Sequence, residues 1–145
     1  MKIQEQDLYH GAALTQIAEH GSFTALNKGS QRYGHYMINA DRHLFVRYSK
    51  AEEGPWCYTI TPGQLEPVKN ILQARARIYF SLVCGEFTVC LLNEEQLRTL
   101  IDLASNESQW IRVEVPKGGS CHVSGSLGRL GRMVPHNAFP TALFE

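Results

Sequence analysis

Residues 78 to 92, Ile-Tyr-Phe-Ser-Leu-Val-Cys-Gly-Glu-Phe-Thr-Val-Cys-Leu-Leu, constrain this chain more than any other stretch. Two β-favouring runs meet at Gly85-Glu86, and glycine first in a two-residue loop suits a type II′ turn, whose twist matches that of the flanking strands. That turn predicts a register pairing Cys84 with Phe87, Leu82 with Val89 and Phe80 with Leu91. One face of the hairpin is then Ile78, Phe80, Leu82, Cys84, Phe87, Val89 and Leu91, all apolar. The other, Tyr79, Ser81, Val83, Thr88, Cys90 and Leu92, is mixed but uncharged. Two uncharged faces place the pair inside a sheet and not at its edge.

The flanking sequence predicts what covers that hairpin. Asp7 as N-cap and Gly21 as C′ residue bracket a helix with Ala13, Leu14 and Ile17 on its buried stripe, and His10 shares the stripe as a residue satisfied at a packed interface. Residues 22 to 34 have no period and read as a loop anchored by Phe23 and Leu26. A second hairpin follows from His35, turning at Ala40-Asp41-Arg42, with Leu44, Val46 and Tyr48 inward and Phe45 and Arg47 partly solvated. Trp56, Tyr58 and Ile60 alternate with Cys57 and Thr59 in a third strand. Thr61-Pro62-Gly63-Gln64 has capping-box order, and Pro67 predicts a broken first turn before a helix proper to Ala76, with Val68, Ile71, Leu72 and Arg75 on one face. Asn93-Glu94-Glu95-Gln96 caps another helix, with Leu97, Leu100, Ile101 and Ala104 buried. Ile111, Val113 and Val115 then alternate inward, a turn at Pro116-Lys117-Gly118-Gly119 returns the chain through Cys121 and Val123, and the apolar tail from Gly125 packs back on the body.

The expected fold is a single α+β domain over residues 1–145, with a mostly antiparallel sheet, a central hairpin at 78–92 and helices at 7–20, 62–76 and 94–105. A chain of 145 residues buries roughly two-thirds of its unfolded surface without staples. No apolar run approaches the roughly 20 residues of a membrane span, and the acids in Met-Lys-Ile-Gln-Glu-Gln-Asp leave no export signal, so a cytoplasmic location is expected. Fourteen basic and fourteen acidic residues cancel, which removes the global pull that most nucleic-acid and anionic-membrane binders use. Cys57, Cys84, Cys90 and Cys121 show no paired short spacing and read as reduced core residues.

Chemistry-bearing motifs are sparse. His10, His20, His35, His43, His122 and His136 include no His-x-x-x-His on a helix, and no Cys-x-x-Cys occurs, so no metal site and no cofactor are expected. Ser124 lacks a Gly-x-Ser-x-Gly setting, and Gly125-Ser126-Leu127-Gly128-Arg129 lacks the Lys-Ser or Lys-Thr and following helix of a phosphate cradle. Arg42, Arg47, Lys50 and Trp56 are close enough in sequence to form a basic, aromatic surface for nucleic acid. Arg129, Arg132 and His136 form a second basic cluster in the tail.

The order helix, three strands containing a hairpin, helix, strand, over about residues 7 to 84, is similar to the core of the PD-(D/E)XK nuclease-like proteins. In that family an acid near the first hairpin and an acid-x-Lys on the next strand bind magnesium, which activates water against a phosphodiester. The resemblance implies a role for Asp41 and Lys50 with magnesium as cofactor, Tyr48 of Tyr48-Ser49-Lys50 standing where the acid is required and Glu52 or Glu53 as its substitutes. Two functions are therefore expected in rank order. The first is a non-catalytic domain that binds another macromolecule, a protein partner or a second copy of itself, through exposed strand edges and the C-terminal segment. The alternative is a degenerate nuclease-like domain that grips or cleaves nucleic acid through Asp41, Arg47 and Lys50.

Overall fold

The computed structural model describes residues 1–30 and 34–145. The expected loop over residues 22 to 34 lies partly outside the described residues, and its described part contains a short strand, Leu26–Lys28, whose Leu26 is exposed and not anchored on the core. The chain forms α1 (Glu5–Ala18), β1 (Leu26–Lys28), β2 (His35–Ile38), β3 (Arg42–Ser49), β4 (Trp56–Ile60), α2 (Pro62–Gln73), β5 (Arg77–Cys84), β6 (Thr88–Asn93), α3 (Glu94–Leu100), β7 (Gln109–Glu114), β8 (His122–Gly125) and two 3-10 turns, His136–Ala138 and Thr141–Phe144. This is an α+β domain, as expected, but its strands divide between two sheets, one of order β1-β2-β3-β5-β6 and one of order β4-β7-β8. All ladders are antiparallel except β3 with β5. A parallel pair needs a long crossover, which β4 and α2 supply.

The larger sheet is covered on both sides. Phe45, Ile78, Phe80, Leu82, Cys84, Cys90 and Leu92 pack against α2, α3 and the inner face of the smaller sheet. Ile38, Leu44, Val46, Tyr79, Val83, Val89 and Leu91 pack against Ala13 and Ile17 of α1 and against Phe139 and Leu143 of the tail. Phe45, expected to be partly solvated, is thus 1% exposed.

Several local expectations are corrected. In the hairpin the turn stands where it was predicted, with Gly85 at φ 55° and the Phe87 amide donating to the Cys84 carbonyl at 3.0 Å. Phe87, however, is left out of the ladder, and Cys84 pairs with Thr88, Leu82 with Cys90 and Phe80 with Leu92. One extra residue flips every later side chain of β6 to the opposite face. Cys90 and Leu92 therefore share the face of Phe80, while Val89 and Leu91 share that of Tyr79. Glycine is required at the turn, since a Cβ on Gly85 would collide with the Ala51 carbonyl. The pair is also only half interior: β5 lies between β3 and β6, whereas β6 ends the sheet.

Helix α1 starts earlier than expected because Asp7 sits at N3, where its carboxylate accepts from the Gln4 amide at 2.8 Å, instead of at the N-cap. Helix α2 runs unbroken through Pro67, whose missing N–H deprives only the carbonyl of Gly63 in the first turn. It stops at Gln73 and not Ala76. The Arg75 amide donates to Leu72 and the Ala76 amide to Ile71, a Schellman closure with Arg75 in the left-handed region at φ 58°. Helix α3 ends at Leu100 because the Gln109 side chain clamps both the amide and the carbonyl of Asp102, each at 2.7 Å. Ala104 is consequently exposed and Leu103 takes its buried place. Cys57 faces solvent, contrary to its expected core position, while Cys84, Cys90 and Cys121 are buried.

An exposed, left-handed arginine stores strain that glycine does not have. Arg75→Gly is expected to raise stability by about 0.5–1 kcal/mol, read as a higher urea midpoint at unchanged slope. An unchanged or lower midpoint would show that the closure is not strained.

Candidate functional site

The structure does not bring the sequence-predicted site residues together. Asp41 precedes β3 and pairs with Arg42, whereas Lys50 follows the strand and pairs with Glu5 at 3.4 Å. Eight residues of extended chain lie between them, a separation of about 30 Å at ~3.3 Å per residue. Arg42 and Arg47 point to opposite faces of β3, because strand side chains alternate. Trp56 is 3% exposed and its Nε1 donates to the Ala51 carbonyl at 2.9 Å, so its ring is not a stacking platform for a base. Glu52 and Glu53 lie exposed in the loop before β4.

Two other places gather polar side chains. The first is a groove of about 560 Å³ beside the smaller sheet, lined by Glu53 and Pro55 of the loop before β4, Glu114 to Pro116 at the end of β7, His122 and Ser124 of β8, and Arg129 and Leu130 of the tail. Its size falls within the range of ligand sites, and its lining alternates apolar groups with charges of both signs. Register accounts for part of this arrangement, since Glu114 and His122 are ladder partners and their side chains stand side by side. A backbone bridge between Ser124 and Arg129 folds the tail alongside β8 and brings Arg129 and Leu130 to the wall.

The second is a file of hydrogen bonds on β2 and β3. Ser30 Oγ lies 2.8 Å from His35 Nδ1, and His35 Nε2 lies 2.9 Å from His43 Nδ1. Met37 is the ladder partner of His43, so His35 and His43 are diagonal neighbours on one face, within reach for imidazole rings. His35 is 3% exposed and stacks on Phe45 with ring centres 4.2 Å apart. Gly29 lies flat against it, leaving no room for a Cβ. Burial, then the neighbouring His43 and Arg47, lower the His35 pKa to about 4, and burial also lowers that of His43. Both rings are therefore neutral near neutral pH, each with one donor and one acceptor nitrogen. If Ser30 donates to His35 Nδ1, His35 Nε2–H donates to His43 Nδ1, and the file is satisfied in one direction.

On the opposite face His10 is 8% exposed and meets the Tyr36 hydroxyl at 3.1 Å, the packed-interface role expected of it. Of the tail cluster, His136 bridges the Thr88 hydroxyl and the Gly119 carbonyl, while Arg132 is exposed. The described residues contain no group of three or more His, Cys, Asp or Glu able to hold a metal ion, and no helix among them is long and apolar enough to cross a membrane.

Compared with known proteins, the chain matches no family model, no curated protein and no solved structure. Fold and sites together define a small α+β domain carrying a mixed-charge groove and a serine–histidine–histidine file. Spacing rules for helices miss the file, because its histidines face each other across a hairpin. The signal that could have found it is the hairpin register itself, which sets His35 and His43 on one face. No comparable signal marks the groove, whose charged residues come from the loop before β4, β7, β8 and the tail.

The His35 pKa lies below its unfolded value of 6.5, so between that value and about 4 the unfolded chain binds more protons than the folded one. Stability is expected to be fully developed above 6.5 and to fall as pH drops through this window, with His10 and His43 acting in the same direction. Urea midpoints measured across the window check this, and His35→Gln should flatten the slope. A pH-independent midpoint in the wild-type protein would contradict it.

Proposed function

We propose that this chain works by binding another macromolecule, and that its partner is a protein segment held in the groove between the loop before β4, the ends of β7 and β8, and the tail. The observation that carries the reading is the lining itself. Pro55, Val115, Pro116 and Leu130 offer apolar contact, while Glu53 and Glu114 stand among His122 and Arg129. Two carboxylates in the groove oppose a phosphate backbone, so a polypeptide carrying both signs of charge complements it better than nucleic acid does. Zero net charge removes the long-range attraction that would offset that repulsion. A second copy of the chain is one source of such a segment.

Nothing of this kind favours the nuclease-like reading, whose Asp41 and Lys50 flank opposite ends of β3. Panning a random peptide library against the protein, followed by titration calorimetry of enriched peptides, tests the proposal. Glu114→Lys and Arg129→Glu should each weaken binding about tenfold, equivalent to about 1.4 kcal/mol. Failure to enrich peptides, or affinities indifferent to both substitutions, would overturn it. So would magnesium-dependent cleavage of a labelled DNA or RNA panel that Asp41→Ala abolishes.

A further inference from the structure

The file of Ser30, His35 and His43 belongs to neither the apolar core nor the groove, and its geometry has a chemical meaning. We infer that Ser30 is a nucleophile towards the carbonyl carbon of activated carboxylic esters, with His35 as its base and His43 as the residue that positions His35. A serine hydroxyl is a weak nucleophile at neutral pH and reacts when a base within hydrogen-bond reach takes its proton, the base being oriented by a third group. Those two contacts are present here at 2.8 and 2.9 Å. Ser30 and His43 are half-buried, while the base between them is enclosed. Phe45 fixes the plane of the His35 ring and Gly29 closes its other side.

The reaction balances without any further reagent. Ser30 Oγ bonds to the carbonyl carbon as its proton passes to His35 Nδ1, and His35 Nε2–H stays bonded to His43 Nδ1. Collapse of the tetrahedral intermediate breaks the bond to the leaving alkoxide, which takes the proton back from His35. Water repeats the sequence on the acyl-serine, releasing the carboxylic acid and restoring the hydroxyl. Arg47 places positive charge near the file, of the sign that favours the oxyanion and opposes the imidazolium. A neutral histidine stands where a carboxylate would stabilise that imidazolium, so esters with good leaving groups are the expected substrates and turnover is slow.

Incubation of the intact chain with p-nitrophenyl acetate and, separately, with a fluorophosphonate, followed by intact-mass and peptide-mass measurement, tests the inference. One adduct on Ser30 is expected, absent in Ser30→Ala and formed at least tenfold more slowly in His43→Phe. His43→Gln, whose amide oxygen can accept from His35 Nε2–H, should recover part of that loss, and added imidazole should restore labelling in His35→Gly. Thermal melts identify variants that fail to fold, and His43, the more exposed histidine, carries the test if His35→Gly is one of them. No adduct on Ser30, or an adduct formed as fast in a folded His43→Phe protein, would overturn the inference and leave the groove reading untouched.

Discussion

Burial of β5 on both of its faces is the constraint to which the rest of the structure answers. Ile78, Phe80, Leu82 and Cys84 point into one layer and Tyr79 and Val83 into the other, while the backbone pairs with β3 on one side and β6 on the other. A strand in that position tolerates no charge along its buried length. Even Ser81, in the middle of the strand, is 0% exposed. The same burial explains why Asp41 and Lys50 are far apart. Asp41 and Lys50 lie just beyond the two ends of β3, the parallel neighbour of β5, where they pair locally with Arg42 and Glu5, whereas Arg47 inside the strand donates to the Val46 carbonyl.

How far this could be read in advance depends on which contacts set each feature. The strands at 78–84 and 88–93 follow from their own apolar composition, and the turn at Gly85 from glycine's access to positive φ. The face that β6 presents is not local. It is decided by Phe87, which leaves the ladder and stacks against Trp56 with ring centres 5.9 Å apart, so the first residue of β4 settles the register of a hairpin distant in sequence. Helix ends behave alike. The end of α3 depends on Gln109, a residue of the next strand, and that of α2 on an arginine adopting a conformation more often held by glycine. Local propensity identified these elements, and tertiary contacts trimmed them.

The two polar sites differ in the same way. His35 and His43 belong to one hairpin, and alternation along two adjacent strands is enough to set them on one face. The same register sets Phe45 beside the ring as the ladder partner of His35; what alternation cannot supply is the closure, with Gly29 against the ring and Ser30 at Nδ1. Those contacts turn two surface-compatible histidines into an enclosed and uncharged file. Trp56 shows the converse case. Its sequence neighbourhood is charged and loop-like, yet the alternation of β4 directs it into the core, where its indole nitrogen ties down the chain at Ala51.

The tail links architecture to function. Beyond β8 the chain could have been a free arm, but it bridges back to β8 at Ser124 with Arg129 and to the residue preceding β8 at Cys121 with Val134, and it sends Phe139 and Leu143 under the larger sheet. His136 of the same segment reaches Thr88 on β6. Two strand edges that would otherwise offer unpaired backbone to another chain are thereby partly closed. The edge at β1 is three residues long and carries Lys28, a poor template for strand addition. With edges blunted in this way, side chains and not unpaired backbone are what these faces present. The stretch that closes the β8 edge is also the one that places Arg129 and Leu130 against Glu114 and His122, so protection of the sheet and construction of the groove are consequences of one docking event.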